Sequence, residues 1–162
     1  MSCTAVAMTK TPLVGVIGAA VVNESAYAAA REIGRLLAAR GATVVCGGLG
    51  GVMEAVCRGC SEAGGTAVGI LPGATAGSAN PWVGIPIVTN MGHARNVIIA
   101  HTAQVLIAVE GEYGTLSELA VALKLGKPVI CLHSWPELPG LLRVDSPEQA
   151  VAAAMAALEQ KE

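Results

Sequence analysis

The chain of 162 residues contains no phenylalanine and only two tryptophans and two tyrosines. A chain of this length can bury a complete core, but that core has to be assembled from Ala, Val, Leu and Ile, whose small side chains let helices approach a sheet closely. Charge is also scarce: 10 Lys and Arg against 12 Asp and Glu give a net charge of −2 and a pI near 5.9. The cations are scattered, so the basic face that a nucleic-acid partner requires is missing. Long apolar runs are absent too. The longest, Leu13 to Val22, is interrupted by Gly15 and Gly18 and is too short to span a bilayer. Lys10 before that run, and Ala26-Tyr27-Ala28 after it, imitate a secretory signal. Cleavage there would remove the first strand and the start of the next helix, so the run is read as structure. Five cysteines, odd in number and irregularly spaced, suit a reducing, cytoplasmic setting better than a disulfide framework.

Repeats, charge blocks and low-complexity linkers are likewise missing, which predicts a single domain over 1–162 with residues 1–12 as a flexible N-terminal segment. What is present is an alternation of short apolar runs with longer amphipathic ones. Strands are predicted at Leu13 to Ile17, Thr43 to Cys46, Ala67 to Leu71, Ile85 to Val88, Val105 to Val109 and Val129 to Leu132. Helices are predicted at Ser25 to Ala39, Gly51 to Ala63, Ala94 to Thr102, Leu116 to Leu125 and Pro147 to Leu158. Ser146 as cap, Pro147 at the first helical position and Gln149 as the capping-box partner mark the last one. Most strands are continuously apolar, as parallel strands covered on both faces should be. The fold class is therefore α/β: a Rossmann-like three-layer sandwich with a mostly parallel central sheet.

Two glycine-rich turns stand where an apolar run gives way to a helix: Gly47-Gly48-Leu49-Gly50-Gly51 and Gly111-Glu112-Tyr113-Gly114-Thr115. Glycine lets backbone approach a ligand, and a helix start offers unpaired N–H groups with partial positive charge, so such turns hold phosphate. Both turns follow strand ends, where open parallel sheets bind ligands. A dinucleotide is disfavoured. Gly15-Val16-Ile17-Gly18 lacks the third spaced glycine, and Cys46-Gly47-Gly48 stands where an acidic ribose partner would be. The thirteen residues Pro72 to Gly84, rich in Gly, Pro, Ala and Ser around Trp82, read either as a lid or as a variable surface loop.

Several residues carry two readings. Thr115-Leu116-Ser117-Glu118 forms a capping box, and its spacing favours a structural Glu118. Arg95 falls in a first helical turn, where a cation opposes the macrodipole; it either meets a carboxylate or phosphate, or is solvated. Cys57 and Cys60 share a stripe with Met53 and Val56, opposite Glu54, Arg58 and Glu62, so they are read as packing and no metal site is assigned. His101 shares a face with Val97 and is read as core-facing, while His93 lies where it can touch a ligand.

Cys46-Gly47-Gly48-Leu49-Gly50-Gly51-Val52-Met53, Gly69-Ile70-Leu71-Pro72-Gly73, Gly92-His93-Ala94-Arg95-Asn96 and Gly114-Thr115-Leu116-Ser117-Glu118, in this order, resemble the Lonely Guy-like (SLOG) superfamily. That group includes the nucleoside-monophosphate phosphoribohydrolases, mislabelled as lysine decarboxylases, and the molybdenum cofactor carrier proteins. The resemblance covers about Val14 to Leu132 and is closest to the carrier branch. It implies a bound phosphorylated small molecule, a nucleoside monophosphate or molybdopterin, held by Gly47, Gly48, Gly50, Gly51, Pro72, Gly73, Arg95, Asn96, Gly111, Gly114 and Thr115, with the Trp82 loop covering it. If the protein is an enzyme, the resemblance makes Arg95 and Glu118 the catalytic pair that cleaves the N-glycosidic bond. A third reading is an assembly or regulatory protein that keeps only the scaffold. The chain departs from the hydrolases at Glu112, which replaces a glycine and brings a carboxylate near the phosphate. Relatives are commonly dimers or tetramers, so a homo-oligomer is implied.

Overall fold

The computed structural model describes residues 10–133 and 138–160. In chain order its elements are β1 (Leu13–Gly18), α1 (Glu24–Ala39), β2 (Thr43–Cys46), α2 (Val52–Glu62), β3 (Ala67–Leu71), β4 (Ile85–Val88), α3 (Arg95–Thr102), β5 (Val105–Val109), α4 (Tyr113–Lys124), β6 (Val129–Leu132), β7 (Leu141–Val144) and α5 (Pro147–Glu159). Short 3-10 turns at Ala76–Ser78 and Gly92–Ala94 precede β4 and α3. The expected flexible segment 1–12 lies outside the described residues up to residue 9. Pro12 is tied in, its carbonyl accepting the Thr43 N–H at 2.8 Å. Trp135 also lies outside the described residues.

The described strands form one sheet in the order β4-β3-β2-β1-β5-β6-β7. Every neighbouring pair is parallel, so the sheet is fully rather than mostly parallel. The six predicted strands are present. The seventh, β7, was not predicted: Leu141-Leu142-Arg143-Val144 is a short edge strand, partly exposed throughout, and lacks the apolar run of a doubly covered strand. The protein is a single α/β domain of Rossmann-like type.

Strand alternation divides the core into two layers. Val14, Val16, Val44, Val105, Ile107 and Ile130 pack with residues of α1, α2 and α5 on one side. Ile17, Val45, Ile70, Leu106, Ala108 and Val129 pack with residues of α3 and α4 on the other. Glycine sets how closely the first layer closes. A Cβ at Gly34 would collide with the Val56 carbonyl oxygen, and one at Gly59 with that of Arg31, so α1 and α2 touch backbone to backbone. At the far end of α3, Lys127 Nζ donates to the carbonyls of Ala100, His101 and Ala103 at 2.7, 2.6 and 2.5 Å. A lysine there satisfies carbonyls left open by the helix end and complements its dipole.

α3 also corrects one expectation. Its buried positions are Arg95, Asn96, Ile99 and Ala100, so Val97 and His101 share the outward face and His101 is exposed rather than core-facing. Cys57 and Cys60 are buried on the inner stripe of α2, as their phase requires.

The topology positions the site. From β1 the chain winds outward through β2, β3 and β4, then returns past β1 to β5 and winds the other way. The loops leaving β1 and β5 therefore diverge, and a crevice opens at the carboxyl ends of these strands.

Candidate functional site

A cavity of about 280 Å³ fills this crevice. Ile17, Gly18, Ala19 and Ala20 line it from β1 and its loop, and Gly47, Leu49 and Met53 from the β2–α2 turn. His93, Arg95 and Asn96 close it at the start of α3, and Glu112, Gly114, Thr115 and Glu118 at the start of α4.

The two glycine turns end differently. At α2 the entrance is closed by the protein itself. The Val52 N–H donates to the Ala19 carbonyl at 3.0 Å, and a Cβ at Gly51 (φ +62°) would strike the backbone of Ala19 and Ala20. The Gly48 N–H points to the Cys46 sulfur at 3.4 Å. Of this turn's expected ligand residues, Gly47 lines the cavity, while Gly48, Gly50 and Gly51 shape the backbone behind it. At α4 the entrance is open. Glu110 (φ +50°) and Gly111 (φ +140°) take left-handed turns, and a Cβ at Gly111 would lie 2.5 Å from Thr115 Cβ, so glycine is required for the chain to enter the helix here. The first backbone bond of the helix runs from the Leu116 N–H to the Glu112 carbonyl. The N–H groups of Tyr113, Gly114 and Thr115 precede it.

This geometry overturns the capping-box reading of Thr115 and Glu118. The helix begins at Tyr113 with Glu112 as its cap, whose side chain makes no capping bond. The Gly111 turn starts the helix three residues earlier than spacing suggested, so Thr115 and Glu118 both lie within it, 4% and 6% exposed.

Arg95 is not a solvated surface residue either; it is 8% exposed. Its Nη1 lies 3.8 Å from Glu118 Oε1 and donates to Asn96 Oδ1, and its Nε has no partner. The guanidinium also reaches Gly47, where a Cβ would sit 2.7 Å from Nη2. Asn96 braces the arrangement: its Nδ2 donates to Ser117 Oγ at 3.1 Å, and Ser117 Oγ donates to the Gly114 carbonyl at 2.6 Å. Burial lowers the Arg95 pKa from its ordinary value, with Glu118 and Cys46 opposing. A guanidinium nevertheless stays charged at neutral pH. Burial pushes the Glu118 carboxyl up to about 8, with Arg95 opposing, so at neutral pH it is largely protonated. The crevice thus presents one buried cation beside an open helix start.

The Pro72–Gly84 segment is a strut rather than a cover. The Asn80 N–H donates to the Gly48 carbonyl and its Nδ2 to the Leu49 carbonyl, each at 2.9 Å, while its Oδ1 accepts the Trp82 N–H at 3.0 Å. Trp82 packs beneath Arg58 of α2, with the guanidinium 5.5 Å from the ring centroid, and does not line the cavity. Pro72 and Gly73 accept the N–H groups of Gly92 and Asn90 at 3.0 Å. They hold the approach to α3, and like Gly111 they do not line the cavity.

Of the sequence-derived site residues, the crevice brings together Gly47, Arg95, Asn96, Gly114, Thr115 and Glu118, with His93 and Glu112 at the same cavity. Ala19 and Ala20 were missed. They carry no chemical signature, and their only sequence signal was their place after the first strand. Among the described residues no group of three or more His, Cys, Asp or Glu is placed to hold a metal. No described helix is long and apolar enough to cross a membrane.

The model of the SLOG cluster4 family matches residues 11–160. The chain belongs to this family. Within and around it, this SLOG chain is 46% identical over 138 residues to an uncharacterized protein of Archaeoglobus fulgidus, covering 85% of this chain and 91% of the relative. The SLOG chain also resembles the molybdenum cofactor binding protein of the phototrophic bacterium Rippkaea orientalis, with TM-score 0.87, 33% identity, and coverage of 92% of this chain and 98% of that one. The molybdenum cofactor carrier protein of Chlamydomonas reinhardtii gives TM-score 0.86 and 34% identity, over 93% and 99% of the two chains.

Proposed function

We propose that this protein binds and carries a phosphorylated small molecule of the molybdenum cofactor or molybdopterin type without changing it chemically. The observation that carries the reading is the buried Arg95, with an unpartnered Nε, lining a compact cavity beside the open start of α4. An anionic group there gains a charge-assisted hydrogen bond and helix N–H donors together. A cavity of about 280 Å³ suits the phosphate end of a ligand whose remainder extends outward. Ligand clefts usually begin at about 300 Å³. In this reading Gly47, Arg95, Asn96, Gly114 and Thr115 touch the ligand. Gly48, Gly50, Gly51, Gly111, Pro72 and Gly73 hold the backbone that frames it. The likeness to molybdenum cofactor binding and carrier proteins supports the ligand class.

The phosphoribohydrolase alternative asks Glu118 to supply negative charge to an oxocarbenium-like ribose. A carboxyl pushed up to about 8 is mostly neutral at pH 7 and suits proton donation rather than charge stabilisation, so the carrier reading is favoured by the likeness to cofactor carriers and not by this group. Self-association accompanies the reading. Ile85, Ile87 and Val88 of edge strand β4, with Met91 and Val97, are 42–50% exposed, and no charged residue occurs from Pro72 to Gly92. A second copy of the chain covers such a face best. Cys46, Cys57 and Cys60 are free and buried, and Cys131 is buried as well, consistent with a reducing cytoplasmic setting.

Native mass spectrometry of protein purified under mild conditions, then mixed with molybdopterin or AMP, tests these statements together. The expected result is a dimer or tetramer with pterin bound, or taken up on addition, and no free adenine from AMP. Release of adenine and ribose 5-phosphate would overturn the carrier reading, and failure to take up any of these ligands would overturn both.

A further inference from the structure

Glu118 has no assigned task in a protein that only carries its ligand, yet it is buried at the cavity wall and its one ionic neighbour is the cation that the ligand would use. At 3.8 Å the pair makes no direct hydrogen bond, and Arg95 Nε is unpartnered. We propose that uptake of an anionic group at Arg95 is proton-coupled through Glu118: the guanidinium serves either the ionised Glu118 carboxylate or the ligand's oxyanion. The inference rests on reading the site as an anion cradle. It adds a regulation of that site, in which ligand enters with a proton on Glu118 and is expelled when that proton is lost.

The balance is simple. In the free protein above the Glu118 transition, the carboxylate neutralises Arg95. A second negative charge placed against the same guanidinium would then share a buried, poorly solvated space with the first, so the carboxylate takes one proton from solvent as the anion binds. Dissociation returns it. Below the transition the carboxyl is already neutral and binding moves no proton. Burial, which pushes the carboxyl up to about 8, places this exchange just above neutral pH.

Few other groups face the pair. Arg95 comes from α3, and His93 and Glu112 line the same cavity from the turn before α3 and the cap of α4. Cys46 of β2 interacts with Arg95, but its hydrogen bond with Cys57 and its burial hold its thiol well above the usual range, so it stays neutral here. Cys131 of β6 belongs to the apolar layer on the same side of the sheet. Among the described residues, only His93 and Glu112 therefore need a control.

Sulfate is the probe of choice, because unlike phosphate it does not itself titrate between pH 6.5 and 9.5. Calorimetric titration in buffers of different ionisation enthalpy reads both affinity and proton uptake. Wild-type protein is expected to bind sulfate with constant affinity up to about pH 7.5 and then to weaken toward tenfold per pH unit above 8, taking up close to one proton per sulfate at pH 9. Glu118→Gln is expected to bind with pH-independent affinity and no proton uptake, whereas His93→Gln and Glu112→Gln keep the wild-type slope. Proton uptake by the wild type stands as evidence even if a variant fails to fold. Sulfate binding without proton uptake at pH 9, or a slope surviving in Glu118→Gln, would overturn the inference and leave the cradle standing. No sulfate or phosphate binding at any pH would overturn the cradle and the inference together.

Discussion

Replacing Glu118 with glutamine is expected to remove a pH dependence of stability that the wild-type protein carries between pH 4.5 and 8. The carboxyl ionises near 4.5 when unfolded and at about 8 when folded, so within this window the folded state holds more protons. Stability then falls as pH rises, by about 1.4 kcal/mol per pH unit at full slope. Below the window both states are protonated, and above it both are ionised, so the contribution is flat at either end. Glutamine keeps the shape of the side chain and has no proton to lose. Urea midpoints at pH 5, 6.5 and 8 should therefore diverge, with the variant gaining several kcal/mol on the wild type at the alkaline end. Parallel profiles would mean that Glu118 is solvated or firmly paired in the folded protein.

Replacing Arg95 with methionine is expected to separate binding from folding. Truncating one side of a buried, hydrogen-bonded charge contact costs about 2–5 kcal/mol, so affinity for phosphate should fall by roughly thirtyfold or more. Stability should change by no more than about 1–2 kcal/mol, although charge is being removed from a buried site. The reason lies in Glu118. Without the guanidinium its carboxyl is driven still further toward the neutral form, so no buried ion is stranded, and methionine fills space beside Gly47 without the cost of desolvating a cation. Calorimetric binding and chemical denaturation of the same preparation read the two effects. Unchanged phosphate affinity would exclude Arg95 from the site.

The strands were legible because doubly covered parallel strands must be continuously apolar, and Val105-Leu106-Ile107-Ala108-Val109 has no other plausible environment. β7 was not, since a strand covered on fewer sides needs no such run. The start of α4 depended on Glu110 and Gly111 adopting positive φ, and the capping-box spacing of Thr115 and Glu118 masked it. The order of motifs pointed to residues that the crevice brings together, Gly47, Arg95, Asn96, Gly114, Thr115 and Glu118, but not to the burial of Arg95, Asn96, Thr115 and Glu118. Arg95 and Glu118 are hidden only because α3 and α4 pack side by side beneath the crevice, a long-range outcome that local pattern does not carry. The same holds for the Pro72–Gly84 segment. Its composition announced a loop, whereas its role was set by one amide side chain, Asn80, meeting the carbonyl of Leu49 thirty-one residues earlier.

A single anion cradle at the divergence of β1 and β5 is the claim on which the functional reading rests. Amide-resolved NMR during titration with inorganic phosphate tests it most directly. The N–H signals of Gly47, Gly114 and Thr115, with the side-chain Nε–H of Arg95, are expected to move together along one saturating curve, while those of Gly64 and Gly126 in distant turns stay still. If the Arg95 and Thr115 signals remain in place up to saturation of any other site, or follow separate curves, the cradle does not exist.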